Sequence, residues 1–338
     1  MTSMNLRPMA SHVLAALAIF LCLWLHLVPA ALSGFLVYVL VAGISRRYLS
    51  HLDDARGRLW ATAAIAVVVV LVFSLAVAVV VNQLHFASAQ GLAGLWQKMA
   101  EIIANAQGIL PAWLVGSLPT SADDIQSAVV QLLKDHAGQL QAAGKDVGVG
   151  LVHAIIGCVV GGMVAARQVS ADETQAPLRA ALICRARRFT ACFEKVFVGQ
   201  GKIAAINATA TAVYLMAVLP LFGILLPFTK TMVLLTLVMG FIPVLGNLVS
   251  NTVIVVVSAS SGFVASVASL VFLVALHKAE YFLAARILGS QINARAWELL
   301  MAMLVMEAAF GVPGVITAPV IYAYLKTEWL AAEATADA

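Results

Sequence analysis

A few side chains in this sequence could do chemistry where water is scarce. Glu307 stands ten residues after Trp297, in a run with no other charge between Glu298 and Lys326. On a helix that distance is ~15 Å, which places the carboxyl near the middle of a ~30 Å hydrocarbon layer. An acid there costs ~2.5 to 3.5 kcal/mol on insertion scales, so something must offset it. Protonation, a hydrogen bond to Asn247 or Asn251, or a bound cation would serve. The bland alternative is a neutral Glu that ties two helices together. Glu280 lies ~9 Å before Arg286 along a helix, with His277 one turn earlier on the same face. The two could relay a proton, or His277 and Lys278 could simply pair with Glu280 or reach the interface. Glu298, three residues from Arg295, reads as an ordinary helix-end pair.

The amides Asn247 and Asn251, one turn apart, follow Phe241-Ile242-Pro243-Val244-Leu245-Gly246, a polar break in a region with no charge from Thr231 to Leu276. Pro243 has no backbone N–H to donate and Gly246 accepts any φ. Inside a membrane such a break survives where protein or water satisfies the freed groups, so it marks a cavity. A similar break, Gly311-Val312-Pro313-Gly314, interrupts the run that carries Glu307.

The rest of the chain must hold these residues in lipid. Of 338 residues, 62% are hydrophobic and 11% charged, with a mean hydropathy of +0.99, which is membrane-protein composition. The net charge of +4 gives no support for nucleic-acid binding. Four cysteines show neither metal-ligand spacing nor a disulfide framework.

Residues 1–30 imitate a secretory signal peptide, but a second apolar run, Leu32 to Ile44, follows directly. Two spans joined by a turn at Pro29 are the preferred reading. The loop from Arg46 to Arg58 carries four arginines, and residues 167–202 form the most basic stretch of the chain. Both belong in the cytoplasm by the positive-inside rule. Within the second stretch Leu178, Leu182, Phe189, Phe193, Val196 and Phe197 suggest a helix lying on anionic lipid. Residues 82–146 are polar and divided by Pro111 and Pro119, an outer insertion whose Ser121 to Leu140 portion has amphipathic spacing. In the fourth span, Val147 to Ala166, Gly157 and Gly161 invite close helix packing.

The expected fold is all-α, a polytopic membrane protein with about six full spans and two Pro/Gly-broken hairpins. Limbs of ~20 Å favour re-entrant hairpins entering from opposite sides over ten complete crossings. The expected organisation is 1–82, N-terminal spans; 83–146, the extracytoplasmic insertion; 147–166, a span; 167–202, the basic cytoplasmic segment; 203–326, the core with its hairpins; and 327–338, a short, frayed tail. Both termini would be cytoplasmic.

No GxxxxGK loop is present, since Gly199-Gln200-Gly201-Lys202 lacks the first glycine at the needed spacing, and HExxH and GxSxG are absent. Neither enzyme activity nor a cofactor is expected.

The sequence resembles the autoinducer-2 exporter family of bacterial membrane proteins along nearly its whole length. The motifs that carry the likeness are Phe241-Ile242-Pro243-Val244-Leu245-Gly246, Glu280-Tyr281-Phe282-Leu283 with Arg286-Ile287-Leu288-Gly289, and Phe310-Gly311-Val312-Pro313-Gly314 with Ala318-Pro319. The resemblance implies an oligomeric, multi-pass inner-membrane transporter that exports a small molecule without a nucleotide motor. Some members are associated with sodium-proton exchange. Its expected partners are membrane lipid, a small-molecule or cation substrate, and copies of itself. Met306-Glu307 and Asn247 stand where the family usually has small residues and proline, which makes a protonatable or cation-linked mechanism attractive. The expected pathway residues are Pro243, Gly246, Asn247, Asn251, Glu280, Glu307, Gly311, Pro313 and Gly314. A scaffold for other envelope proteins is the non-transport alternative.

Overall fold

In a computed structural model, the structure describes residues 6–48, 60–68, 70–71, 74, 131, 135, 137–167, 177–241, 245–259, 261–292 and 294–336. Pro243, the Ser121 to His136 part of the insertion apart from 131 and 135, and the end of the third span lie outside these residues.

Every regular element among the described residues is a helix. They are α1 (Leu6–Trp24), α2 (Val28–Tyr48), α3 (Ala137–Arg167), α4 (Pro177–Val213), α5 (Thr229–Met239), α6 (Leu245–Ala259), α7 (Phe263–Ile292), α8 (Ala296–Phe310) and α9 (Val312–Ala336). Residues 60–68 are also helical. Val28–Ser45, Lys145–Ala166 and Leu178–Leu221 are long and apolar enough to cross a membrane, while α5 and the apolar part of α6 are shorter. Leucine, valine and isoleucine left exposed along these helices suit contact with acyl chains.

The helices form two compact units. The first contains residues 1–79, 144–196 and 291–338; the second contains 80–143 and 197–290. Helix α4 contributes its basic first half to the first unit and its apolar second half to the second.

In the first unit, α2 and α3 touch at the predicted glycine pair. A Cβ on Gly157 would come within 2.0 Å of the Ala30 carbonyl oxygen, and one on Gly161 within 2.1 Å of that of Gly34. Ser33 Oγ donates to the Ala154 carbonyl at 2.7 Å across the same contact. The turn between α1 and α2 falls at His26, whose φ is 55°, and not at Pro29. Pro29 instead occupies the first turn of α2, where its missing N–H costs nothing.

Helices α8 and α9 form the second hairpin, reversing at Gly311 (φ 63°, ψ −145°). Gly314 lets the limbs close, since a Cβ there would meet the Met306 carbonyl oxygen at 2.0 Å. At the open end Glu298 accepts hydrogen bonds from Tyr322 at 2.5 Å and Lys326 at 2.9 Å. Among the described residues the segment after Lys326 is not frayed. It continues α9 to Ala336, and its Glu328 accepts from Arg185 at 2.6 Å and from Arg188 at 3.2 Å. Residues 177–202 of the basic stretch form no separate helix, because α4 runs unbroken from Pro177 through Gly199 and Gly201 to Val213.

In the second unit, α4 passes through a π turn at Tyr214–Val218 and ends at Leu221. After a loop with Gly223 and Phe228 at positive φ, α5 and α6 form the first hairpin. Its tip packs on α4. Gln200 donates to the Gly240 carbonyl at 2.9 Å, and Phe197 stacks on Phe241. Gln200 precedes Leu221 by 21 residues, or ~31 Å of helix. The tip therefore sits about half a turn from Lys202, far along α4. A core of Leu215, Leu219, Met232, Ile254 and Leu273 holds α4, α5, α6 and α7 together.

Candidate functional site

Two polar groups stand out because their surroundings are apolar, and the structure treats them differently. Glu280, on α7, is enclosed by its own unit. Asn247, in the first turn of α6, donates from Nδ2 to Glu280 Oε2. Asn207, on α4, stands beside this carboxylate. His277 Nδ1 lies 3.7 Å from Oε2, one turn back on α7. Glu280 keeps 16% side-chain exposure and Asn247 7%, while Asn207 keeps 2%. Three helices thus converge on one carboxylate, with amides on two sides and an imidazole on the third.

The local sequence explains the convergence. Gly246 has no side chain, and a Cβ there would lie 1.7 Å from the Met239 carbonyl oxygen. This close approach folds α6 back along α5 and brings Asn247, the next residue, to the inner face. Asn251, one turn on, is half-buried. A carboxylate in this setting is stabilised by charge-assisted hydrogen bonds from amides, which leave its net charge open to a proton or a cation.

Glu307 is placed otherwise. It lies on α8, in the first unit, with its side chain exposed beside Leu300, Leu304 and Val305, themselves 54–60% exposed. Among the described residues Glu307 has no side-chain hydrogen bond. Gly311, Pro313 and Gly314 shape the α8–α9 reversal, and Pro313 also accepts from Thr317 through its carbonyl at 2.9 Å.

No family model, curated protein or solved structure matches the chain. The site is therefore read from its own chemistry.

Sequence reading missed the α4 side of it. Gln200, Asn207, Thr211 and Tyr214 are all buried and recur at intervals of seven, four and three, one face of a helix. That spacing within an apolar span was the available signal. Asn207 Oδ1 and Thr211 Oγ1 are buried without a hydrogen-bond partner. Farther along, the Tyr214 hydroxyl is 3.1 Å from Ser269 Oγ, which is 2.7 Å from Ser258 Oγ. The Tyr214 ring stacks on Phe272 with centroids 4.0 Å apart.

The first unit also has a cavity of about 320 Å³, lined by residues such as Ile19, Leu32, Phe189 and Val320, with Arg185 and Tyr324 at its polar edge. Arg185 is already committed to Glu328, Ser11 and His12. Apolar walls with no uncommitted polar group give little basis for selecting a solute. Among the described residues no group of acidic, histidine or cysteine side chains could hold a metal ion.

Proposed function

We propose that this chain is a secondary or passive transporter of a bacterial inner membrane, exporting a small molecule, with Glu280 as the protonatable centre of its pathway. The observation that carries the reading is the enclosure of Glu280 by Asn207 and Asn247 within apolar helices. A carboxylate held by neutral amides, with His277 beside it, has a charge that a proton can cancel. A structural ion pair would instead have matched it with lysine or arginine. Resemblance of the hairpin motifs to the autoinducer-2 exporter family supports the same reading. In this picture the two broken hairpins line the path, both termini are cytoplasmic, and copies of the chain associate in lipid.

A sodium-proton antiporter is the second reading, because a single carboxylate with amide neighbours can exchange a proton for a small cation. The test is proton flux in vesicles containing wild type, Glu280→Gln or Glu307→Gln, under imposed sodium and potassium gradients and with candidate solutes. Flux lost in Glu280→Gln and kept in Glu307→Gln supports the assignment. Flux unchanged in Glu280→Gln removes that residue, and loss in Glu307→Gln alone moves the site to the second hairpin. Sodium-driven proton movement with no organic solute selects the antiporter.

A further inference from the structure

We propose that the buried polar face of α4, completed by serines of α6 and α7, is a proton path that links Glu280 to the α6–α7 turn. The proposal rests on the reading of Glu280 as a protonatable centre, and it adds the route by which the proton arrives.

Three observations define the route. At one end, Tyr214, Ser269 and Ser258 form a chain of buried hydroxyls with oxygen separations of 3.1 and 2.7 Å. Ser258 lies three residues before the exposed Ser261, whose N–H donates to the Ser258 carbonyl at 3.0 Å, so the chain ends at the turn. At the other end, Asn247 donates to Glu280, and the buried Asn207 stands beside it. Between them, Asn207 and Tyr214 are seven residues apart on α4, ~10 Å, and Thr211 stands in this interval on the same face.

The intervening oxygens are what make the route continuous. Asn207 Oδ1 and Thr211 Oγ1 are each fully enclosed and accept nothing from the protein. Thr211 is 0% exposed and Asn207 2%. Buried oxygens of this kind are normally satisfied by ordered water, which needs ~2–4 polar partners, and Asn207, Thr211 and Tyr214 supply three. Hydroxyls and water both donate and accept, so they pass protons along a line; the amide of Asn207 positions the water without relaying.

The transfer balances without electrons. As a proton passed in from water at the exposed α6–α7 turn bonds to the buried Ser258 Oγ, that hydroxyl releases its own proton to Ser269, and the same exchange moves through Tyr214 and water at Thr211. One O–H bond forms and one breaks at each oxygen. The last proton bonds to the Glu280 carboxylate, and bulk water is left short by one. Among the described residues the titratable group beside Glu280 is His277 on α7. The groups facing it from α4 and α6 are the neutral Asn207 and Asn247. Lys278 and Lys202 are exposed.

The test follows Glu280 itself, and so needs no transported solute. Protein in lipid vesicles is given a rapid pH jump between about 9 and about 4, and the carboxylic C=O infrared band is followed in time. Its loss in Glu280→Gln assigns it. Thr211→Val and Tyr214→Phe keep shape and remove one hydroxyl each. Both should slow the rise of the band by at least about tenfold and leave its final amplitude unchanged. An equal rate in both variants overturns the path and leaves the Glu280 site standing. A spectrum with no band that disappears in Glu280→Gln shows that Glu280 never changes protonation, and overturns path and site together.

Discussion

Arg185 of α4 and Glu328 of α9, 143 positions apart in the chain, meet at 2.6 Å with 11% side-chain exposure each. Arg188 reaches the same oxygen, and Ser11 and His12 of α1 bind the Arg185 guanidinium. One acid thus joins three helices of the first unit. Replacing Glu328 with Ala leaves Arg185 enclosed without its counter-charge, a change that typically costs ~3 kcal/mol or more. Thermal unfolding of the detergent-solubilised variant should show a clearly lowered midpoint. A midpoint equal to wild type would mean that the pair contributes nothing.

The α2–α3 contact predicts a sharp positional contrast. Gly157→Ala and Gly161→Ala each put a methyl group about 2 Å from backbone oxygen of α2, so the helices must move apart. Overpacking of this kind costs ~1–3 kcal/mol. Gly148, on the same helix, has nothing within 4 Å of the position its Cβ would take. Gly148→Ala should keep the wild-type yield of monodisperse protein while the other two lose much of it.

Gly311 has φ 63° and ψ −145°, a region that side chains other than glycine's hydrogen scarcely enter. Gly311→Ala should destabilise the α8–α9 hairpin by ~1–3 kcal/mol. Increased proteolysis between α8 and α9 would report it. Protection equal to wild type would show that the reversal can relax.

Asn247 gives Glu280 a charge-assisted hydrogen bond from a separate helix. Such a bond contributes ~1.5–3 kcal/mol, so Asn247→Leu should reduce Glu280-dependent flux by roughly 10- to 100-fold. Asn251→Leu, one turn farther on, should have a smaller effect. Equal effects would mean that the amides act through the hairpin as a whole and not through the carboxylate.

Much of the helical framework was legible because glycine and proline punctuate it. The breaks at 311–314 and after Phe241, and the Gly157/Gly161 contact, follow from local backbone requirements. The pairing of Glu280 with Asn247 was harder, since a separation of 33 residues leaves no trace in periodicity. Glu307 drew attention by its isolation in an apolar run, yet isolation along the chain does not say which way a side chain points. Asn207, Thr211 and Tyr214 passed unnoticed because an amide or hydroxyl per turn is common in apolar helices. Glu328 looked like part of a solvated tail because its arginine partners lie 140 or more residues away. Pro29 misled because proline serves both in turns and at the start of helices.

The π turn at Tyr214–Val218 carries one residue more than an α turn would, and the Leu219 N–H closes it by donating to the Tyr214 carbonyl. Each residue of an α-helix turns the chain by about 100°. Deleting one codon within the π turn, that of the exposed Met216 for example, would therefore restore an α turn and leave Leu219, 2% exposed in the core, on its present face. Deleting one in the regular helix before it, that of Ala212 for example, would instead turn Tyr214 and Leu219 away from the face that Asn207 and Thr211 keep. Along this helix, the effect of a change in length depends on where the spare residue lies.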